Sequence, residues 1–402
     1  MHNYLIKNLM NVNRGSSPRP IMEYLSDSGY RWLKISDFNL YDRYVYETKE
    51  FIKEAGLKNT RHLPAGTLIL TNSATPGIPI FLGKDMCLHD GFLYFTNIDE
   101  NIININFLYY WFLYNRNLII NQANGSVFKN LKKDIVENFE IKVPDINIQL
   151  KIIKILDNIN SKIELNNEIN NNLFELLKQE FREKFYNKKE KDSYLRDYIS
   201  ETIGGDWGKS APEGNNNTMV YCVRGADIPS MEYGNKGNAP IRYILEKNYK
   251  NKKLDPNNII IEISGGSPTQ STGRTAFITK SILDMYDSPL LCTNFCRAIE
   301  AKSDILAPFV YLNLKLMYDD DIFFNWENGT TGIKNLALND LLNNLKVKTP
   351  DEMMVKDFYL LFNNIMNKIS NNSNENIKLE QLRDTLLPKL MNGEIDLDNI
   401  EI

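Results

Sequence analysis

Cysteine and histidine are scarce in this chain. Four cysteines (Cys87, Cys222, Cys292, Cys296) and three histidines (His2, His62, His89) among 402 residues give no basis for a disulfide framework or a closed zinc site, since the one close cysteine pair has no histidine beside it. That thiol content, with no recognisable secretory leader, sets the expectation of a reducing, cytoplasmic compartment. A charge surplus is missing too. With 47 Lys plus Arg against 51 Asp plus Glu and a formal charge of −4, any surface for DNA has to be local. No apolar run is long enough to span a membrane: "IININFLYYWFLYNRNLII" is interrupted by Asn104, Asn106, Asn115, Arg116 and Asn117 and reads as a buried helix. Phosphate-loop, nucleophile-elbow and helicase signatures are absent. The chain itself is therefore not expected to be a catalyst, and no cofactor or metal is expected in it.

What is present is duplication. "GSVFKNLKKDIVENFEIKVPD" (125–145) returns as "GTTGIKNLALNDLLNNLKVKTPD" (329–351), with Lys-Asn-Leu and a closing Pro-Asp in each. Leu5 matches Leu195 and Gly15 matches Gly205 at a spacing of 190, as does "WLKISDF" with "CVRGADI". Pro76 matches Pro268 at 192, the helix at Phe107 matches that at Phe309 at 202, Lys-Asn-Leu repeats at 205 and Pro-Asp at 206. The offset is expected to rise without reversing, as small loop insertions in a duplicated domain would give. A hydrophobic content of 43% over this length supports two or three domains with their own cores. Within each copy, β-like runs such as "GTLILT" and "NIIIEIS" lie between Gly, Ser, Thr and Pro loops, followed by a helix near 106–122 or 306–319.

After each Pro-Asp the apolar period becomes helical. Residues 148, 152, 155, 159, 169, 173 and 176, and in the second copy 358, 362, 365, 369, 379, 386 and 390, predict two long amphipathic helices with a coiled-coil seam. At about 1.5 Å per residue each would be roughly 50–60 Å long, a length suited to a spacer. Asn166 and Asn372, partners at the offset of 206, fall mid-helix and are expected either to bond each other and fix the register or to face solvent.

Two similar domains suit a ligand with two similar halves, and duplex DNA is one. In "ISGGSPTQSTGRT", Gly265 lets the backbone approach a phosphate, while Ser264, Ser267, Thr269, Gln270, Thr272 and Arg274 are donors for phosphates and base edges. The alternative is a plain surface turn. The matching loop of the first copy offers Asn72, Ser73 and Thr75. Around the Lys-Asn-Leu blocks, Lys129 and Asn130 follow Ser126, and Lys334 and Asn335 follow Thr330 and Thr331. This combination suits phosphate oxygens or a solvated helix start. Lys34, with Ser36 beside it, and Arg224 end matched strands and point either into a groove or to a surface carboxylate. Trp207 and Lys209 read as a wedge and an anchor, or as core packing and a solvated lysine.

The paired Lys-Asn-Leu blocks with their Pro-Asp exits, "VRGADI" preceded by "TIGGDWGKS", and "LRDTLLPKLMNGEI" (382–395) together resemble the DNA-specificity subunit of type I restriction-modification systems. The first copy departs at "NVNRGSSPRP", which has only one of those glycines. The resemblance implies an α+β fold: target-recognition domains over 1–147 and 188–351, long antiparallel coiled-coil helices over 148–187 and 352–392, a tail over 393–402, and an internal pseudo-two-fold. It also implies partners: double-stranded DNA, two modification subunits that carry S-adenosylmethionine and methylate adenine, and a motor-nuclease restriction subunit. "DPNN" at 255–258 begins like an amino-methyltransferase motif but lacks its second proline and aromatic residue, and reads as a turn. Two other function classes remain open: a nucleic-acid enzyme with a site in the Gly-rich loops, and a protein-binding scaffold.

Overall fold

The structure, a computed structural model, describes residues 1–38, 43–122, 130–267, 269–329 and 334–397. The chain divides into two compact units, Met1–Ser161 with Glu380–Ile402, and Lys162–Leu379. Two long helices, Ile146–Phe181 and Glu352–Met391, each contribute one part to each unit. The C-terminal segment thus belongs to the first unit, where Leu390 and Leu397 are buried in its core and Asn392 accepts a hydrogen bond from Tyr114 (2.8 Å).

The first unit is built on a sheet ordered Asn11–Arg14, Phe92–Thr96, Leu68–Thr71, Pro79–Leu82, Tyr44–Val45. Against it lies the helix Ile105–Tyr114, opened by the Asn104 side chain accepting from the Asn106 amide and buried from Phe107 to Phe112. This is the apolar window that carries too many asparagines for a membrane span. Among the described residues no helix is long and apolar enough to cross one. A second sheet pairs Tyr30–Leu33 in parallel with Met86–Leu88, Trp32 opposite Cys87 and Leu33 opposite Leu88. Arg43 ties the sheet layer to the long helix through Asp157 (2.6 Å), which also accepts from Tyr110 (2.5 Å).

The second unit reuses this plan at matched strand pairs, although its sheets hold fewer strands among the described residues. Asn216–Val223 runs parallel to Leu290–Cys292, with Cys222 opposite Leu291 and Val223 opposite Cys292. Leu70 faces Leu93 in one copy, and Ile261 faces Arg297 in the other. Tyr4 faces Ile141, and Tyr194 faces Lys346. The repeat therefore persists at the level of strand register, which is fixed once one face of a sheet is buried. The register corrects the expected monotonic offset. Leu88 and Cys292 are equivalent at 204, more than the 202 that separates the starts of the following helices, Ile105–Tyr114 and Ala307–Asp319. The reversal falls in a shorter connection ahead of the second helix. Residues 255–258 form the expected turn, closed by the Asp255 amide on Asn258 Oδ1 (2.9 Å) with Asn257 left-handed at φ 70°.

Within the second unit the long helices are antiparallel, and their seam differs from the expected one. Beyond Ile159 the inward positions are Asn166, Asn170, Phe174, Leu177 and Phe181, one residue out of step with 169, 173 and 176. The 3-4 rhythm passes through asparagines, which an apolar search skips. The second seam is as expected at Phe358, Phe362, Ile365 and Ile369, all buried. Asn166 and Asn372 are buried but do not bond each other. Asn166 Nδ2 donates to Asn376 Oδ1 (2.9 Å) and Asn372 Nδ2 donates to Asn170 Oδ1 (2.8 Å). The repeat exchanges Asn166 with Asn372 and Asn170 with Asn376, so the two rungs are images of one another.

Candidate nucleic-acid interface

In each unit the end of the parallel strand pair gathers three loops that are far apart in sequence. The amide of Ser16 donates to Leu88 O (3.1 Å), and that of Asp206 donates to Cys292 O (2.9 Å). From the next strand, the Asn72 amide donates to Gly91 O (2.9 Å), and the Ile263 amide to Phe295 O (2.8 Å). The third loop is a tight turn in which an aspartate caps the strand end: Asp37 Oδ2 accepts from the Lys34 amide (2.8 Å) and Asp227 Oδ2 from the Arg224 amide (2.9 Å). Gly15 and Gly205 are required by this convergence, because a Cβ there would lie 2.2 Å from His89 O and 1.9 Å from Thr293 O respectively.

The duplicated Lys-Asn-Leu blocks close the same assembly. Leu131 and Leu336 are buried, and their amides donate to Asn72 O (2.7 Å) and Ile263 O (2.9 Å). The motif is thus a clasp across the end of a strand, which explains why it is built twice. Asn130 and Asn335 are exposed beside it. Lys129, Ser126, Thr330 and Thr331 lie outside the described residues, as does Pro268.

Most cations singled out from the sequence have carboxylate partners. Lys34 pairs with Glu50. Arg224 grips Asp227 at 3.0 Å and donates to Asn238 O, and the Asp227 bond raises its pKa further. Lys334 meets Glu327 at 2.7 Å, whose other oxygen accepts from the Thr272 amide. Burial opposes charge on Glu327, but these donors outweigh it and hold the carboxyl below its ordinary range. Lys209 is exposed, 3.4 Å from Glu213. Two polar residues expected at the surface are interior: Thr272 and Asn72 are buried, and the Asn72 amide group reaches Asp90 O (3.4 Å). In this arrangement they shape their loops from within. Ser73 and Thr75 are half-buried, with Thr75 O accepting from Thr71 (2.6 Å). Ser36 is exposed beside Asp37. Thr269 and Gln270 are exposed, Gln270 reaching Tyr318 (3.1 Å). Ser264 bonds Asn335 across a short strand pair that includes Gly265, and Ser267 pairs with Gln270.

Arg274 lies beneath this loop cluster, bidentate to Glu262 at 2.9 and 2.6 Å, and that bond is the largest cause of its raised pKa. Glu262 is only 4% exposed and the pair is covered by Gly225 and Gly265, where any Cβ would come within 2.4 Å of Glu262 Oε1. Replacing Arg274 with Met strands a buried carboxylate. It is expected to cost the folded chain about 3 kcal/mol, and the double variant R274M/E262L is expected to recover most of the loss. Urea unfolding of the three proteins checks this, and equal stability of R274M and wild type would show the pair to be idle.

Other groups complete the cluster, and of these Arg14, Arg19, Phe295 and Arg242 carry no sequence motif. Arg14, Arg19 and Lys34 sit close enough to His89 to act on its charge, and burial keeps His89 below its ordinary pKa. In the second unit Phe295 is 56% exposed and Trp207 39% exposed, with the Arg242 guanidinium 4.2 Å from the Trp207 ring centroid. Each unit therefore presents a rigid rim of backbone-anchored loops carrying cations, hydroxyls and amides, the inventory that contacts phosphates and base edges. Among the described residues no group of three His, Cys, Asp or Glu is placed to hold a metal.

Residues 2–175 match the family model described as the type I restriction modification DNA specificity domain. The chain is 24% identical to the type I restriction enzyme MjaIX specificity subunit of Methanocaldococcus jannaschii, covering 98% of this chain and 93% of that protein. It is 21% identical to the HindI specificity subunit of Haemophilus influenzae over 89% and 96% of the two chains. Among solved structures, the S subunit of a type I restriction-modification system from M. genitalium is 16% identical over 97% of this chain and 95% of that one, with a TM-score of 0.49.

Proposed function

We infer that this chain is the specificity subunit of a type I restriction-modification system: a non-catalytic protein that recognises DNA for partners that act on it. The observation that carries the reading is the duplicated loop cluster, two similar rims built on the same strand register, together with the specificity domain matched over residues 2–175. Each rim reads one half of a split sequence. The halves differ because the scaffolds agree in backbone bonding while their exposed side chains do not. Modification subunits, two per chain, dock on the long helices, hold S-adenosylmethionine and methylate adenine; a restriction subunit joins them for cleavage. The complex works in the cytoplasm.

Binding to duplex DNA is expected to be salt-sensitive despite the negative overall charge, since local cations replace condensed counterions at the phosphates. Fluorescence anisotropy of the full chain with a 40-base-pair duplex is expected to show affinity falling by at least about tenfold between 50 and 200 mM salt. An affinity for protein partners with no DNA binding at the lower salt would point to a scaffold instead.

A further inference from the structure

The two rims share their backbone anchors but differ in what they carry there, and the difference is specific. Gly91 and Phe295 occupy equivalent places, each giving its carbonyl to the neighbouring strand (Asn72 amide, 2.9 Å; Ile263 amide, 2.8 Å). One residue beyond the equivalent Ser16 and Asp206 anchors stand Ser17 and Trp207. The first unit thus has a glycine and a small hydroxyl residue, its Ser17 Oγ donating to Asp90 (3.0 Å). The second has two exposed aromatic rings, Phe295 at 56% and Trp207 at 39%.

We propose that Phe295, together with the Trp207–Arg242 stack on the neighbouring loop, is an intercalating wedge with which the second domain unstacks a base step in its half of the DNA, while the first domain reads its half without intrusion. The inference rests on the DNA-reading function above and deepens it. Leaving a phenylalanine in water has no folding benefit, yet its backbone is among the most firmly held in the rim: Phe295 O accepts from the Ser264 amide (3.2 Å) as well as from Ile263, and the Cys296 amide closes the turn on Thr293 O (3.0 Å). A ring on a fixed stem loses little entropy on insertion. Trp207 is held likewise: Arg242 Nε donates to Trp207 O (2.8 Å) while its guanidinium covers the ring. Apolar wedges that part base steps and aromatic platforms that take up unstacked bases work by this combination of rigidity and exposed π-face. A cation held over the indole also attracts the phosphates that flank the opened step.

The test uses the full chain without modification subunits, so that no methyltransferase can displace a base. The probe is a 30-base-pair duplex carrying the methylated motif recovered from source cells, with 2-aminopurine placed in one half-site at a time. The wild-type chain is expected to raise the fluorescence in the second domain's half-site and leave the first half-site dark. Phe295→Ala, at an exposed position with no core to lose, is expected to keep its melting temperature, abolish the rise and weaken binding about tenfold. Binding with no rise in wild type, or a rise and affinity unchanged in Phe295→Ala, overturns the wedge and leaves DNA recognition standing. A wild-type chain that binds no duplex at all overturns both.

Discussion

Exchanging residues 1–147 for the corresponding segment of a related subunit is expected to replace one half of the methylated sequence and leave the other half unchanged. The reason lies in how self-contained each rim is. In the first unit the clasp, the crossing that requires Gly15 and the capped turn all close on residues 15–131, and the edge strand His2–Leu5 pairs with Glu140–Val143 just before the long helix begins. Among the described residues nothing in that hydrogen-bonded set is borrowed from the second copy, whose own set closes between Ser193 and Val347. An exchange at this boundary therefore moves a complete reading surface. The effect is all-or-none for the exchanged half, since one mismatched base pair typically costs about 1–3 kcal/mol and a half-site has several. Long-read methylation sequencing of cells carrying the chimera reads the outcome. A change in both halves, or in neither, would defeat separable reading.

The asparagine rungs are expected to behave in opposite ways when broken singly and when removed together. Asn170 accepts from Asn372 (2.8 Å) and donates to Ser373 Oγ (3.2 Å) and Ile369 O (3.3 Å), all in the buried seam. Asn170→Leu alone leaves the Asn372 amide unpaired and is expected to cost about 1–3 kcal/mol. The quadruple variant N166L/N170L/N372L/N376L removes both partners of both rungs. Ser373 keeps its bond to Tyr233 O (3.3 Å), and Asn167 and Glu375, which also lose bonds, are exposed. That variant is expected to melt above the wild type. It gives up specificity in return, because a leucine seam accepts a one-turn slip that would leave amides stranded in the wild type. Lys162 and Glu375 face each other at 3.3 Å, so a short bismaleimide is expected to link K162C to E375C in the wild-type seam. In the all-leucine seam it should also link K162C to cysteines placed at Asn371 or Leu379. A quadruple variant less stable than the wild type would show that the rungs are net stabilising.

What the sequence revealed and what it hid follow one physical division. Features repeated by local chemistry were legible: the matched glycines, the duplicated Lys-Asn-Leu blocks, the matched strands and the second helical seam. Interactions that form only when the chain folds back on itself were not, even over short separations. Arg274 reads as a free donor until folding brings Glu262 from the preceding strand to within 2.6 Å, and Lys334 meets Glu327 only because a short strand pair folds back. Asn72 and Thr272 carry surface-like side chains, yet clasp and turn closure bury them. Phe295 was hidden for another reason. "LHDG" and "CTNF" have no residue in common at matched positions, so only strand register reveals that Gly91 and Phe295 share a site. The first helical seam slipped because asparagine holds two of its inward positions.

The most direct test of the account is adenine methylation across the source genome with and without this gene. The account predicts a split, asymmetric methylated motif that is present with the gene, lost on its deletion and restored by the full chain supplied in trans. A motif that persists unchanged in the deletion strain would contradict it.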